Sequence, residues 1–142
     1  MDYRTEIDDP VVSLDGRQSE VAAELQRGVC RTFRALGHSV VTELALAMGR
    51  RADVVALSGK GDVLIVEIKS CLLDYRTDAK WHDYLDYCDR LYFAVRADFP
   101  REVIPEEAGL FLADRYGAEL VREGIEERLS PARRSTSVAA AP

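Results

Sequence analysis

Arg51-Ala52-Asp53-Val54-Val55-Ala56-Leu57, then Ser58-Gly59-Lys60-Gly61, then Asp62-Val63-Leu64-Ile65-Val66-Glu67-Ile68-Lys69: this stretch decides the fold. Its two outer parts are apolar, β-branched runs of strand length, and the Ser/Gly-rich break between them is a turn. Yet Asp53, Glu67 and Lys69 stand inside these runs, where a charge without a partner is expensive. Side chains alternate along a strand, so Glu67 and Lys69 point to the same face. An acid pair that holds a divalent cation, beside a lysine that handles water, would give all three a reason to be there.

Working outward, the strand from Arg50 to Leu57 is preceded by the turn Ala47-Met48-Gly49 and by a β-rich run from Val40 to Leu46. Before that, Val21, Ala22, Leu25, Val29, Thr32, Phe33 and Leu36 recur at helical spacing between Arg17 and Leu36. Asp15 is the expected N-cap and Gly37 the expected C′ stop. After Lys69 a second helix is expected from Asp74 or Asp78 to Cys88, with Trp81, Tyr84, Leu85 and Cys88 on one face. Leu91 to Val95 reads as a buried strand parallel to an earlier one, because a helix intervenes. Gly109 to Ala113 and Ala118 to Val121 read as further strands around the turn Arg115-Tyr116-Gly117, and Ser130-Pro131 as a helix start. The expected fold is therefore an α/β domain with a mixed central sheet: helix, three-strand antiparallel meander, helix, strand, then further strands. Residues 1–14 are expected to be a flexible arm, 15–128 the single domain and 129–142 a C-terminal tail.

Register brings the charges together. If Ala47 to Gly49 is a three-residue hairpin loop, Glu43 lands opposite Asp53. If Gly59 to Gly61 is another, Asp53 lands opposite Glu67. Three carboxylates then form a row across adjacent strands, with Arg51 and Lys69 one step along the same face. Like charges facing each other on a sheet destabilise it, whereas such a row suits a hard cation such as Mg²⁺. Two plainer readings stand beside this one. A two-residue register shift would pair Glu43 with Arg51, and Lys69 could simply neutralise Glu67 or Asp53.

The 142 residues carry a net charge of −6 with 47% hydrophobic and 31% charged residues, the composition of an ordinary globular domain. The negative balance argues against broad nucleic-acid binding through charge alone. It is uneven: residues 1–49 hold five Lys/Arg against eight Asp/Glu and residues 97–142 six against nine, while 50–96 balance at eight and eight. No apolar stretch approaches the roughly 20 residues of a membrane span. The first six residues lack the pattern of a signal peptide, so a cytoplasmic protein is expected. Cys30, Cys71 and Cys88 show no C-x-x-C spacing and read as free thiols rather than a disulfide framework or zinc site. His38 and His82 read as structural or solvent-facing. Asp74, Asp78, Asp83, Asp86 and Asp89 read as caps or solvated faces. Arg122, Arg128, Arg133 and Arg134 read as a basic tail diluted by neighbouring acids.

Asp53 followed by Glu67-Ile68-Lys69 on this element order resembles the PD-(D/E)XK nucleases. The longer string of Gly49-Arg50-Arg51-Ala52-Asp53, Val66-Glu67-Ile68-Lys69-Ser70, Lys80-Trp81, Asp83-Tyr84-Leu85 and Cys88-Asp89-Arg90-Leu91 is similar to the MmcB-like DNA-repair family, over about residues 15–125. Ala52 stands where the short motif names Pro, a position that varies across the superfamily. The resemblance implies a restriction-endonuclease-like core and a metal-dependent endonuclease acting on DNA. Asp53 and Glu67 would bind Mg²⁺ or Mn²⁺, with the Ile68 carbonyl as a third ligand, and Glu43 would be an additional acid. Lys69 would orient the attacking water or stabilise charge on the phosphate. Many members use an acid on the first helix instead; Glu20 and Glu24 are the candidates, Glu24 favoured because it lies a turn deeper. Arg50 and Arg51 flank the hairpin and are candidate phosphate contacts. Lys80 and Tyr84, at i and i+4 of the expected second helix, are two more. Trp81 reads as core before it reads as a base-stacking group. Small size and acidity suggest help from a second copy or another repair protein. The alternatives are a nuclease-fold DNA-binding module that does not cut efficiently alone, and a structural subunit whose buried charges merely pair.

Overall fold

A computed structural model of the chain describes residues 19–77 and 80–134. The arm 1–14, the cap Asp15, Arg17, Asp78 and the last residues of the tail lie outside them. The first described helix, α1, runs Glu20–Ala35, and its N-cap is Ser19, whose hydroxyl accepts the Ala22 N–H at 3.1 Å. Gly37 ends it as expected, at φ 88°, a left-handed conformation that suits glycine at C′. The apolar stripe of α1 buries Leu25, Val29, Cys30 and Phe33. Each large side chain so buried contributes about 1.5–3 kcal/mol of transfer free energy.

Six strands follow: β1 (Ser39–Ala45), β2 (Arg51–Leu57), β3 (Val63–Ile68), β4 (Arg90–Val95), β5 (Gly109–Asp114) and β6 (Gly117–Arg122). They lie in the sheet in chain order. The pairs β1–β2, β2–β3 and β5–β6 are antiparallel, and β3–β4 and β4–β5 are parallel. The expected mixed α/β architecture is therefore present. Both hairpins adopt the loop lengths that glycine placement implied. Leu46 N–H donates to the Arg50 carbonyl (2.8 Å) and Ser58 N–H to the Asp62 carbonyl (3.0 Å), with Gly49 and Gly61 at φ 99° and 91°. Thr42 faces Val54 and Ala45 faces Arg51, which excludes the shifted register pairing Glu43 with Arg51.

The second helix differs from expectation. It divides into α2 (Leu72–Thr77) and a 3-10 segment, η1 (Trp81–Tyr87). Trp81, Tyr84 and Tyr87 are all buried, so the period followed is three. The apolar spacing is shared by both helix types at its first step, which is why sequence alone favoured a continuous α-helix.

α1 covers one face of the sheet, lying chiefly across β5 and β6, over Val54, Ala56, Leu64, Val66, Tyr92 and Phe111. The other face, with Val63, Ile65, Leu91 and Phe93, is covered by η1 and by the loop carrying Phe99 and Ile104. β3 and β4, hydrogen-bonded on both sides and buried on both faces, form the centre. Among the described residues, no helix is long and apolar enough to cross a membrane.

Candidate functional site

Asp53 and Glu67 meet at the end of the β2–β3 ladder. That ladder pairs Val54 with Val66, and one step further the side chains take over from the backbone. The Asp53 N–H donates to Glu67 Oε2 at 3.1 Å, and the Ile68 N–H donates to Asp53 Oδ2 at 2.8 Å. Each carboxylate is thus aimed by the amide of the opposite strand, a charge-assisted bond that fixes its orientation. Glu67 is 3% exposed and Lys69 9%, whereas Asp53 is half-buried. Lys69 follows β3 directly, its N–H bonded to the Ala94 carbonyl at 3.1 Å. By strand alternation Asp53, Glu67 and Lys69 belong to the η1 face, with Val55 and Ile65.

Glu43 sits opposite Asp53 in register but leaves the ladder between the pairs Thr42–Val54 and Leu44–Ala52. Its φ is 55°, left-handed and uncommon for a residue with a side chain. Strain of this kind persists only where the surroundings enforce it. Here a residue that sequence reasoning missed supplies the hold: the Gln26 amide of α1 donates to Glu43 Oε2 (3.0 Å) and to the Asp53 carbonyl (2.9 Å). Gln26 is uncharged and sits at the edge of the apolar stripe, so neither charge nor periodicity singles it out. Of the first-helix acids, Glu24 is engaged elsewhere, in an ion pair with Arg115 at 2.9 Å, and Glu20 is exposed in the first turn. The α1 residue at Asp53 is Gln26.

Tyr84 lies beneath the site rather than on its rim. It is 2% exposed, and its hydroxyl donates to the Arg51 carbonyl at 3.1 Å. Burial raises its pKa above the ordinary phenol value, and the nearby charge of Glu67 raises it further. The expectation that Lys80 and Tyr84 share one helix face is corrected by the 3-10 geometry. Lys80 precedes η1 and is exposed, and in a three-residue period i and i+4 do not align. Arg50 lies over the Tyr84 ring, its Cζ 5.1 Å from the centroid, while the Arg51 side chain is exposed on the hairpin. Trp81 is buried in the core, with His82 stacked on it at 3.6 Å.

Asp89, expected as a cap or on a solvated face, is 2% exposed. It accepts from Val63 N–H (2.7 Å), Leu129 N–H (2.9 Å) and both terminal nitrogens of Arg134 (2.9 and 2.6 Å). The basic tail is likewise dispersed. Arg134 binds Asp89, Arg128 pairs with Asp62 and Glu126, Arg122 holds the Pro105 and Ala108 carbonyls, and Arg133 lies over Tyr87. Ser130 does cap a short helical turn at 131–134, accepting the Arg133 N–H at 3.1 Å.

Among the described residues, no group of three His, Cys, Asp or Glu side chains is arranged to hold a metal ion. Asp53 and Glu67 are a two-carboxylate set. That suits Mg²⁺, which keeps several waters and is commonly held by one or two carboxylates together with substrate phosphate.

A family model described as DNA repair protein MmcB-like matches residues 9–141. A solved protein of unknown function from Silicibacter pomeroyi is 43% identical, with a TM-score of 0.83 over 87% of this chain and 84% of that one. No functionally curated protein matches the chain.

Proposed function

The chain belongs to the MmcB-like DNA repair protein family, and from that premise we propose that it is a metal-dependent endodeoxyribonuclease that hydrolyses phosphodiester bonds. The observation that carries this reading is the Asp53–Glu67 pair, held by reciprocal backbone bonds at the end of β2 and β3 with Lys69 two residues on. Asp53 and Glu67 would hold Mg²⁺ or Mn²⁺, with the Ile68 carbonyl and Glu43 as further oxygen donors. Such a cation, when bound, supplies positive charge at the phosphate and acidifies a water.

The protein's own groups do the rest. The Ile68 and Asp53 amides fix the carboxylate planes before substrate arrives, so no reorganisation is needed during reaction. Lys69, on the same strand face as Glu67, orients the attacking water or stabilises charge developing on the phosphate. Tyr84 supports the Arg51 backbone from below, and Arg51 and Lys80, both exposed, would each meet phosphates.

Two measurements test this reading. Calorimetric titration with Mn²⁺ should show binding to the wild type that Asp53→Ala removes. Lys69→Ala should abolish cleavage of single-stranded, nicked or branched DNA while leaving Mn²⁺ affinity within about threefold. Metal binding without cleavage of any of these substrates would favour a DNA-binding module that needs a partner to cut. Equal titration of wild type and Asp53→Ala would overturn the metal site itself.

A further inference from the structure

The exposed face of α1 carries Arg27, Arg31 and Arg34, spaced i, i+4 and i+7 on one side of the helix. A helix dipole favours a cation in the last turn, which accounts for Arg34. It does not account for what stands next to the stripe. Tyr116, in the β5–β6 turn, is 73% exposed. The Arg31 Nε–H donates to its carbonyl at 3.2 Å, locking turn and helix together. Between them lies an open cleft of about 370 Å³ walled by Arg31, Arg34, Thr32, Ala35 and Tyr116. On its other side Tyr116 borders a second cleft, of about 550 Å³, which Arg96 also lines. Neither cleft is lined by Asp53, Glu67 or Lys69.

Of the acids nearest the stripe, Glu24 and Asp114 are engaged within the fold, while the exposed Glu119 lines the second cleft along with Arg96. Glu24 is paired with Arg115 at 2.9 Å. Asp114 Oδ1 accepts the N–H groups of Tyr116 and Gly117, at 2.8 and 3.1 Å, to close the turn. Arg115 lies over the Tyr116 ring, its Cζ 5.9 Å from the centroid. In a chain of net charge −6, a row of guanidiniums beside an exposed aromatic ring is a local exception. Its chemistry matches one class of ligand: a flexible polyanion that also carries planar rings. Guanidiniums take phosphates, and a ring exposed to this degree offers a stacking platform for an unpaired base. From Arg27 to Arg34 the stripe spans roughly 10 Å of helix axis, enough to meet more than one phosphate.

We propose that the α1 and β5–β6-turn face is a binding site for single-stranded nucleic acid, with Arg27, Arg31 and Arg34 on the backbone and Tyr116 stacked on a base. α1 connects it to the Asp53 region, since Gln26, one residue before Arg27, contacts Glu43 and the Asp53 carbonyl. The binding itself needs neither metal nor catalysis.

Fluorescence anisotropy with labelled oligo(dT) and oligo(U) tests it, in EDTA and in an Asp53→Ala background, so that failure of the nuclease reading leaves the measurement intact. Tyr116→Ala should weaken binding about tenfold and Tyr116→Phe by less than twofold. Arg34→Ala should lower the slope of log affinity against log salt by roughly one. Thermal melts of the three variants show whether each remains folded; the Tyr116 and Arg34 side chains are both exposed, so the melts should match the wild type. Discrimination between the two oligonucleotides distinguishes a DNA from an RNA ligand. No salt-dependent binding by the wild type, or an affinity indifferent to both Tyr116→Ala and Arg34→Ala, overturns the proposal.

Discussion

A carboxylate withdrawn from water must have its oxygens matched one by one, and Asp89 shows what a purely structural answer looks like. Its side chain is 1% exposed, and its bonds reach β3, the C-terminal segment and the Arg134 guanidinium. Burial alone would raise its pKa, but the Arg134 bonds and the Val63 and Leu129 amides overcome that and hold it at about 2, against an ordinary 3.8. A depressed carboxylate stabilises the fold above its unfolded pKa and loses that contribution as pH falls through the folded one. The contribution at neutral pH is about 2 kcal/mol, lost between about pH 4 and pH 2. Asp89→Asn should therefore cost about 3 kcal/mol in urea unfolding at pH 7, because it strands the Arg134 charge. The gap from wild type should narrow as unfolding is repeated towards pH 2.5; a gap independent of pH would mean that Asp89 contributes shape and not charge. Asp53 and Glu67 are matched differently. Each accepts a backbone N–H from the other's strand, which brings the two acids to the same end of the β2–β3 ladder.

The elements that position these residues were legible to the extent that turns carry glycine. Gly49 and Gly61 fixed two loop lengths, and with them the register that puts Asp53 beside Glu67. Where only apolar spacing was available, as around Trp81 and Tyr84, α and 3-10 geometry were confused, and the face assigned to Lys80 and Tyr84 changed with it. The burial of Asp89 and the reach of Gln26 depend on contacts between elements distant in sequence, which no local pattern encodes. Gly28 is a third case: glycine inside a helix normally costs about 1 kcal/mol relative to alanine. Its reason is the close approach of α1 to the β5–β6 turn. A Cβ there would lie 1.8 Å from the Asp114 carbonyl oxygen and 2.7 Å from that of Gly117. Both obstacles are backbone, so the helix would have to lift from the sheet. Gly28→Ala should destabilise by about 3 kcal/mol despite its better helix propensity, measured by chemical denaturation. An increase in stability would show that α1 accommodates the added methyl against the β5–β6 turn.

At the scale of the whole molecule, the sheet converts local placements into one site. β3 is paired on both sides, antiparallel to β2 and parallel to β4, so Glu67 and Lys69 emerge where a hairpin and a crossover meet. α1 closes the same end from the opposite face through Gln26. A ligand bound there is linked to every element whose loss would release it, and its affinity adds to the stability of the fold. A metal present at 100 times its Kd stabilises the native state by about 2.7 kcal/mol, a rise in Tm on the order of 10 °C for a domain of this size. Saturating Mn²⁺ should produce that rise in the wild type, EDTA should reverse it, and Asp53→Ala should show neither effect. Lys69→Ala should keep the full rise while losing cleavage, since the lysine is assigned to water and phosphate and not to the ion. The apo proteins separate the remaining reading. If the charges served only to neutralise one another, removing the Asp53 carboxylate would take a counter-charge from Lys69 and lower Tm without metal. If the site is built for a cation, removing one of two neighbouring negative charges relieves their repulsion, and apo Asp53→Asn, which keeps an oxygen acceptor for the Ile68 N–H, should melt at or above the wild type. A fall of several degrees in the apo variant, with no Mn²⁺ response in the wild type, would make these residues structural and withdraw the nuclease assignment.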